Sequence, residues 1–368
     1  MPNGERLPVE IFIHDGIEGI ASLRNQWDAL YRRAGCEPSL SHAWTYAVAS
    51  LYAAPDGQIR TIALQRDDTL IGVLPLMRRT VRGAFSHLAP IAAAHNTHSD
   101  WLIGEPPSYE IADALVRGII AAGVEWDRFR MSRILENNAL LPYFTAALRE
   151  RRIRFLLRRE PPSYVLWLPL SYSAYLKART AKFRNHLKRV GKKIQSRRPE
   201  VIVLMAGESE CSFSDAFTRI LAIEQTSWKY AGRFAMSSQS AATEFWRQVG
   251  ESGWAEGRIH AQFLTLDGRT AAYNLGYIVG DQYSYLQTTF SSEFRAIGAA
   301  TYLRAKLVED LIDRGIRVLD FPGEPYEWER QWTADVRAHM RLTAYSGSAR
   351  SAVVELLERV KQTRTRDW

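Results

Sequence analysis

One arrangement of predicted elements occurs twice in this chain, at a spacing of about 200 residues. Residues 59–77 and residues 259–277 each read as a strand, a polar turn and a second strand, and the turns are Asp-Asp and Asp-Gly, which suit tight hairpins. Two amphipathic helices with aromatic residues precede each hairpin. They cover residues 22–35 and 41–52 in the first copy and residues 217–232 and 241–252 in the second. A chain that repeats the order helix, helix, hairpin is constrained to fold as two related α/β units.

The length of 368 residues also agrees with two domains. Between the repeats, the pattern predicts further helices and strands that complete an α/β fold with mixed sheets flanked by helices. The helices are predicted over residues 107–123 and 140–152, and the strands over residues 80–88, 126–134, 153–160 and 163–170. The diproline Pro161-Pro162 is expected to end regular structure and to mark the boundary. We therefore predict domains at residues 1–160 and 161–368.

The charge favours anionic partners, because the chain carries a net charge of +8. Much of the basic character is concentrated in residues 174–200, where Phe183, Leu187, Val190 and Ile194 fall on one helix face. The other positions form a basic face. Three interpretations stay open for that face: a solvated surface, contact with an anionic ligand or a peripheral membrane contact. A nucleic-acid arm is the weakest interpretation, since no aromatic residues for base stacking are interleaved with the charges.

The cysteines and the N-terminus bear on the compartment. Cys36 and Cys211 lie far apart in the sequence and form no metal-binding or disulfide spacing. The first ten residues contain no apolar signal region, and no apolar run is long enough to cross a membrane. We therefore expect a soluble, cytoplasmic protein. A polar loop with two histidines, residues 95–100, suits no common zinc motif, and we expect no metal.

The segment over residues 283–323 carries the clearest chemical signal. A strand over residues 283–290 is followed by a short polar loop, and a helix then begins near Gly298. The start of a helix exposes unpaired backbone N–H groups that bind a pyrophosphate well, and small residues such as Ala299 and Ala300 let the backbone approach closely. Arg295 can add a charge-assisted contact.

This loop resembles the (Gln/Arg)-x-x-Gly-x-(Gly/Ala) loop that holds coenzyme A in GNAT acyltransferases. Over residues 10–335 the chain resembles the CelD/BcsL-like acetyltransferases, a double-GNAT group related to the Fem aminoacyltransferases. The matching pieces are Trp27-Asp28-Ala29-Leu30, Gly72-Val73-Leu74-Pro75-Leu76, Lys182-Phe183-Arg184-Asn185, Ser227-Trp228-Lys229, Leu266-Asp267-Gly268-Arg269 and Asp320-Phe321-Pro322-Gly323. The chain departs from the family after the last piece, where acidic residues stand in place of the lysine of a Tyr-Lys-x-x-Trp pattern.

The resemblance implies two tandem GNAT-like domains and a direct attack of an amine on a thioester. Backbone N–H groups of a splayed strand would polarise the carbonyl group, and Leu286, Gln287 and Thr288 lie on that strand. The catalytic candidates are Asp320, Glu324 and Glu224 as base and Tyr326 as acid, from their positions at strand and helix ends.

Four residues are candidates for the acceptor site. They are Trp228, Lys229, His98 and Asp100. Packing and a solvated charge are the alternative for Trp228 and Lys229, and an ordinary polar loop is the alternative for the other two. The first copy has no second pyrophosphate loop over residues 80–94, so we expect a degenerate domain that helps to build the acceptor cleft.

The leading hypothesis is an acyl-CoA-dependent N-acyltransferase without a metal. Its acceptor would be an amino sugar, an exopolysaccharide precursor or a lipid-like amine, and its acyl donor would be acetyl-CoA or a longer acyl-CoA. A Fem-like transferase that uses aminoacyl-tRNA is the first alternative, although it would need no coenzyme A loop. A non-catalytic protein that keeps only the fold is the second.

Overall fold

The computed structural model describes residues 7–35, 37–53, 57–81, 85–91, 98–323 and 325–365. The chain divides into two compact units. The first unit comprises Met1–Pro162 together with Arg337–Trp368, and the second comprises Ser163–Val336. Each unit is an α/β structure in which helices cover a mixed sheet.

The helices and strands up to the unit boundary follow the chain in this order: β1 Glu10–Asp15, α1 Gly16–Ser22, α2 Arg24–Ala34, α3 His42–Tyr52, β2 Gln58–Arg66, β3 Thr69–Val81, β4 Phe85–Pro90, β5 Leu102–Ile103, α4 Tyr109–Ala121, β6 Arg128–Leu135, α5 Leu141–Glu150 and β7 Arg154–Trp167. The elements that follow are α6 Tyr172–Lys177, α7 Ala181–Gln195, β8 Pro199–Leu204, α8 Phe213–Gln225, α9 Trp228–Ala231, α10 Ser240–Ala255, β9 Ile259–Leu266, β10 Arg269–Val279, β11 Gln282–Phe290, α11 Ala299–Asp313, β12 Val318–Phe321, β13 Val336–Tyr345 and α12 Ala349–Thr365.

The sheet of the first unit has the strand order β1-β2-β3-β4-β6-β13-β7, and β5 adds to β3. Neighbouring strands from β1 to β4 run antiparallel, whereas β4 and β6 run parallel. Helices α4 and α5 cover one face of this sheet. Their apolar residues, such as Leu115 and Phe144, pack with Leu88, Phe129 and Leu342 into a fully buried core. Alternation along the strands leaves the opposite face of β6 and β13 to polar side chains.

The sheet of the second unit has the order β7-β12-β11-β10-β9-β8. Strands β8 to β11 pair antiparallel, and β11 pairs with β12 in parallel. The order of pairing therefore repeats that of the first unit, with four antiparallel strands followed by one parallel pair. Helices α7 and α11 pack together on this sheet through Val190, Ile194 and Leu303.

The predicted repeat is confirmed in both hairpins. In each turn both central residues have positive φ angles, which a two-residue type I′ turn requires. The angles are 52° and 58° at Asp67 and Asp68, and 49° and 78° at Asp267 and Gly268. Short Asp and Gly residues tolerate this conformation, so the sequence signal and the geometry agree.

The boundary differs from the prediction in two respects. Pro161 and Pro162 do not end regular structure, because β7 continues through both residues. Proline's fixed φ angle fits an extended strand. The pairing of β7 with β12 begins only at Tyr164, so neither proline removes a backbone hydrogen bond to β12. The predicted C-terminal domain over residues 161–368 also differs, since the structure assigns Arg337–Trp368 to the first unit. There β13 lies between β6 and β7.

The amphipathic pattern of the basic segment is borne out in α7. Val190 and Ile194 are buried, and Phe183 and Leu187 are partly buried against the core, while the lysines face outward. None of the helices in the described part of the chain combines the length and the hydropathy needed to span a bilayer.

We expect Leu342→Ala in β13 to lower the free energy of unfolding by about 2–5 kcal/mol, because it opens a cavity in the core of the first unit. Val336→Ala is the matched control, since Val336 begins the same strand but is half exposed. The control should change stability by no more than about 0.5 kcal/mol. Denaturant unfolding measures both variants. Equal effects would contradict a buried central position for β13.

Candidate active site in the second unit

The pairing of strand β11 is irregular on one side and ends on the other near one point. On one side, Leu275 of β10 pairs with Gln287 and Gly276 pairs with Tyr285, so that Leu286 is an extra, bulged residue. On the other side, the parallel register with β12 ends at Ser284 opposite Asp320, although β11 continues to Phe290. From residue 285 onward the outer backbone edge of β11 therefore does not pair with β12. A thioester carbonyl group can reach backbone N–H groups at such an edge.

The start of α11 lies directly after this strand. Residues 292–297 form a short 3₁₀ turn, and Gly298 then takes a left-handed conformation with φ of 82° as the N-cap of α11. A Cβ atom at this position would lie 3.1 Å from the Val190 side chain of α7. Glycine is therefore favoured twice, by its φ angle and by the close approach of α7. The first backbone N–H groups of this 15-residue helix have no acceptor within the helix, and such groups can bind an anion.

The predicted cofactor residues lie on these two elements. Arg295 is exposed in the 3₁₀ turn, and Ala299 and Ala300 form the first turn of α11. Leu286, Gln287 and Thr288 are half buried on β11. The side chains of the last two are already engaged: Gln287 Oε1 accepts from Lys229 Nζ at 2.8 Å, and Thr288 Oγ1 donates to the backbone oxygen of Tyr273 at 3.0 Å. Their backbone groups are the part left for a ligand, and their role in binding stays a prediction.

A buried chain of hydrogen bonds supports the splayed strand. Tyr285 Oη donates to Asn274 Oδ1 at 2.6 Å, and Asn274 Nδ2 donates to Gln262 Oε1 at 3.0 Å. Thr288 Oγ1 lies 3.1 Å from the same Asn274 oxygen, on the other side of the bulge. The asparagine therefore ties together residues 285 and 288, and it holds the bulge in one geometry.

Arg304 of α11 connects this chain to a second group of residues. Its Nε donates to Tyr285 Oη at 3.3 Å, and its guanidinium lies 3.8 Å from the centre of the Trp328 ring. Glu329, the neighbour of that tryptophan, is buried, and burial raises the pKa of its carboxyl group to about 7. The backbone N–H of Tyr326 and the charge of Arg304 act in the opposite direction, while Asp320 adds to the rise. A carboxyl group with this pKa exchanges protons readily near neutral pH.

Glu224 and Lys229 form a separate buried network. Glu224 is fully buried, and its carboxylate accepts hydrogen bonds from Tyr273 Oη at 2.7 Å and from the backbone N–H of Met236 at 2.5 Å. Lys229 Nζ lies 3.5 Å from the same carboxylate, and burial lowers the pKa of the lysine. These contacts favour a structural role for Glu224 over the predicted role of base. They also show that Lys229 is not a solvated charge.

The other predicted residues are placed as follows. Asp320 is fully buried at the last register pair of β11 and β12, which keeps it a candidate. Tyr326 has 60% of its surface exposed, and Trp228 is also exposed. Glu324 lies outside the described residues. The roles assigned to these residues stay predictions.

His98 and Asp100 belong to the first unit. His98 is buried there, with its ring stacked on that of His339 at 4.7 Å between centroids. Asp100 Oδ1 accepts from Asn138 Nδ2 at 2.6 Å and from the backbone N–H of Trp101. Both residues therefore make structural contacts within the first unit, and their predicted role in acceptor binding stays a prediction.

A basic cleft lies beside α7. It has a volume of about 700 Å³ and is lined by Lys182, His186, Arg189, Arg330 and Phe183, among others. The cleft follows the N-terminal half of α7, and the C-terminal half of the same helix packs on Gly298 through Val190. The basic face of α7 thus borders a cleft that is partly open to solvent, which favours the anionic-ligand interpretation over a purely solvated surface.

Sequence reasoning missed the residues that converge at the bulge, above all Asn274, Arg304 and Glu329. The first two sit within a strand and a helix whose patterns explain them as ordinary members of those elements. Glu329 stands between Trp328 and Trp332, but the charged residues around it gave no signal that its carboxyl group would be buried.

Comparisons with known proteins place this geometry in a known fold. Residues 181–330 match the model of an acetyltransferase (GNAT) domain. The comparison with curated proteins gives no match. Among solved structures, FemX is similar with a TM-score of 0.60 and 11% identity, over 91% of this chain and 98% of that one.

Two further solved structures have the same fold. The C-terminal domain of a candidate lysylphosphatidylglycerol synthetase from Agrobacterium fabrum is similar with a TM-score of 0.56 and 10% identity, over 91% of this chain and 95% of that one. L-PGS from Bacillus licheniformis is similar with a TM-score of 0.53 and 9% identity, over 91% and 96%. At these identities the likeness concerns the fold, and it agrees with the predicted α/β fold with mixed sheets of the GNAT type.

We expect Glu224→Ala to lower the free energy of unfolding by about 3–5 kcal/mol, because it leaves Lys229 as an unpaired buried charge. Glu251→Ala removes an exposed pair with Arg247 and should cost at most about 0.5 kcal/mol. Adding Lys229→Met to Glu224→Ala should recover part of the loss. Denaturant unfolding tests all three, and a loss as small as that of the control would contradict the network.

Glu329 should make stability depend on pH. Because the folded state raises the pKa of Glu329 from 4.5 to about 7, it binds the proton more tightly than the unfolded state does. This contribution to stability is complete below about pH 4.5 and is lost as the pH rises through about 7. Glu329→Gln removes the titration, so the variant should gain stability relative to the wild type as the pH rises. Thermal melts across this range measure the difference, which would stay constant if the pKa were ordinary.

Proposed function

We propose that this chain, an acyltransferase by its GNAT domain and fold, transfers an acyl group from coenzyme A to an amine in the second unit. The observation that carries the proposal is the bulge at Leu286, at a point where the register of β11 with β12 has ended. The bulge and the end of the pairing with β12 leave a strand edge with backbone donors, and this edge lies directly before a glycine-capped helix. The resemblance to the CelD/BcsL-like acetyltransferases supports the same activity.

The residues present fit a coenzyme A thioester. The N–H groups at the start of α11 and the exposed Arg295 would hold the pyrophosphate, and a side chain at Gly298 would press against Val190 of α7 beside these groups. The bound cofactor supplies an activated acyl group as a thioester. The outer N–H groups of β11 beyond Ser284 would polarise its carbonyl group, held in place by the Asn274 hydrogen bonds.

Glu329 is the residue that we propose to accept the proton of the attacking amine. Its pKa of about 7 lets it be ionised at neutral pH and still hold a proton that it receives. It lies in the cluster with Arg304 and Trp328 that contacts Tyr285 on the splayed strand. Asp320 remains the second candidate for this role, and Tyr326 the candidate for protonating the leaving thiolate. As the amine forms its bond to the acyl carbon, the carbon–sulfur bond breaks.

An amine attached to an apolar body fits the surroundings best. Three exposed aromatic residues, Trp228, Tyr230 and Phe234, follow one another in and after α9. Lys229 of the same helix bonds to Gln287, which places this segment beside β11. Exposed aromatic surface next to a site indicates an apolar ligand. We therefore favour a lipid-like amine over an amino sugar or an exopolysaccharide precursor as acceptor.

A Fem-like transfer from aminoacyl-tRNA is the second candidate. The fold shared with FemX and with the lysylphosphatidylglycerol synthetases favours it, as does the basic cleft along α7. The glycine-capped start of α11 counts against it, because the basic face of α7 alone would serve a polyanion without such a cradle.

Calorimetric binding of coenzyme A, acetyl-CoA and a long-chain acyl-CoA tests the proposal. We expect saturable binding to the wild type, loss of binding in Arg295→Glu and loss in Gly298→Ala. Gly315→Ala is the matched control, because Gly315 follows α11 with a φ angle of 78° and has no neighbour near its missing Cβ atom. Both glycine variants carry a similar backbone strain of about 1–2 kcal/mol, and only Gly298 adjoins the pyrophosphate cradle.

The outcomes separate the two candidates. Binding that Gly298→Ala destroys and Gly315→Ala preserves supports acyl-CoA as donor, and the ranking of chain lengths identifies the acyl group. A folded wild-type protein that binds no thioester contradicts the proposal. Aminoacyl-tRNA binding by that same sample would then support the Fem-like reaction.

A further inference from the structure

The C-terminal helix α12 covers a face of the first unit's sheet that is rich in arginine. Arg128 and Arg130 lie on β6, Arg341 on β13 and Arg158 on β7, and these three strands are neighbours. The residues between them, such as Phe129, point into the apolar core on the opposite face. Four guanidinium groups are thereby gathered on one face of three adjacent strands.

These arginines line a cavity of about 380 Å³. Besides Thr343 and Glu358, its other walls are apolar, from Val81 and Phe85 of the sheet and Val354 and Leu357 of α12. This volume lies within the range of small-molecule sites, and a few charged groups among apolar walls are typical of them.

Two carboxylates partly balance the arginines. Glu358 of α12 pairs with Arg128 and Arg130, and Glu160 of β7 pairs with Arg341. Arg158 is different, because its Nη2 atom is buried and has no hydrogen-bond partner among the described residues. Four arginines against two carboxylates leave a charge of +2 in and around the cavity.

The surplus charge is felt by its neighbours. Burial, and then the nearby arginines Arg128 and Arg130, lower the pKa of His87 on β4 to about 3, so the histidine adds no charge of its own. Burial and the neighbouring Arg128 also lower the pKa of Arg130. A buried donor without a partner costs free energy, and a matching anion would remove that cost.

We propose that this cavity binds the phosphate of a phosphomonoester whose remaining part is apolar. A phosphomonoester carries nearly two negative charges at neutral pH, which matches the surplus charge, and its oxygens fit the fork of a guanidinium group. The apolar walls then contact the rest of the ligand. Glu358 competes for Arg128 and Arg130, so its carboxylate opposes the ligand. The site belongs to the first unit and does not depend on the proposed transferase activity.

Two variants and one control define the test. Arg158→Gln removes the unpartnered donor and should weaken binding about ten- to a hundredfold, as expected for a lost charged hydrogen bond. Glu358→Gln removes the competing carboxylate and should strengthen binding severalfold. Arg159→Gln is the control, because Arg159 is the next residue on β7, lies 80% exposed and pairs with Glu136.

The probes are phenyl phosphate, measured by calorimetry on the full chain, and vesicles of phosphatidic acid, measured by sedimentation against vesicles of phosphatidylglycerol. Thermal melts establish that each variant is folded. Binding of phenyl phosphate alone identifies a small soluble ligand. Binding of phosphatidic acid vesicles that Arg158→Gln abolishes identifies a lipid headgroup with the same chemistry.

Either result supports the proposal if the control binds like the wild type. The proposal is overturned if the wild type binds neither probe. It is also overturned if Arg158→Gln leaves binding unchanged. If that variant does not fold, binding that Glu358→Gln leaves unchanged or weakens overturns it.

Discussion

The second unit depends on one local break in a regular ladder. Up to Ser284 the strand β11 pairs with β12, and beyond it the strand bulges at Leu286 and continues alone on that side. A continuous ladder would satisfy every backbone group and leave nothing for a substrate. The break exposes donors at the place where α11 begins, so one irregularity provides the carbonyl contact and the route to the helix N-terminus. The side chain of Asn274, on the neighbouring strand β10, maintains this break because it accepts hydrogen bonds from Tyr285 and Thr288 of β11.

The two units share one order of pairing but differ at the helix that connects the two parallel strands. In the second unit, Gly298 caps α11 in a left-handed conformation, and α7 packs directly against it. In the first unit, α4 begins after Ser108, whose side chain accepts from the backbone N–H of Ile111. A serine cap uses a donor that a phosphate would otherwise take. The positive charge of the first unit lies instead on the other face of the sheet, under α12. There it comes from arginine side chains on the strands and not from the start of a helix.

The local parts of this fold were predictable, and its convergent parts were not. Turn chemistry identified both hairpins, and the spacing of Val190 and Ile194 identified the buried face of α7. Gly298 was found because a helix start with small residues has a local signature. Arg304, Asn274 and Glu329 come from an α-helix, a strand and a short 3₁₀ helix, so their contact depends on the tertiary structure and follows no sequence period. The pairing of β13 with β6 likewise joins residues about 200 positions apart, and no local pattern indicates it.

The position of β13 has a consequence for biosynthesis. The first unit needs an internal strand that the ribosome makes only after the whole of the second unit. The N-terminal portion therefore emerges with a gap between β6 and β7, and it cannot complete its sheet while translation continues. Domain-by-domain folding from the N-terminus is the usual course for large chains. Here the second unit can close first, and the edges of β6 and β7 keep unpaired backbone groups until β13 has been made.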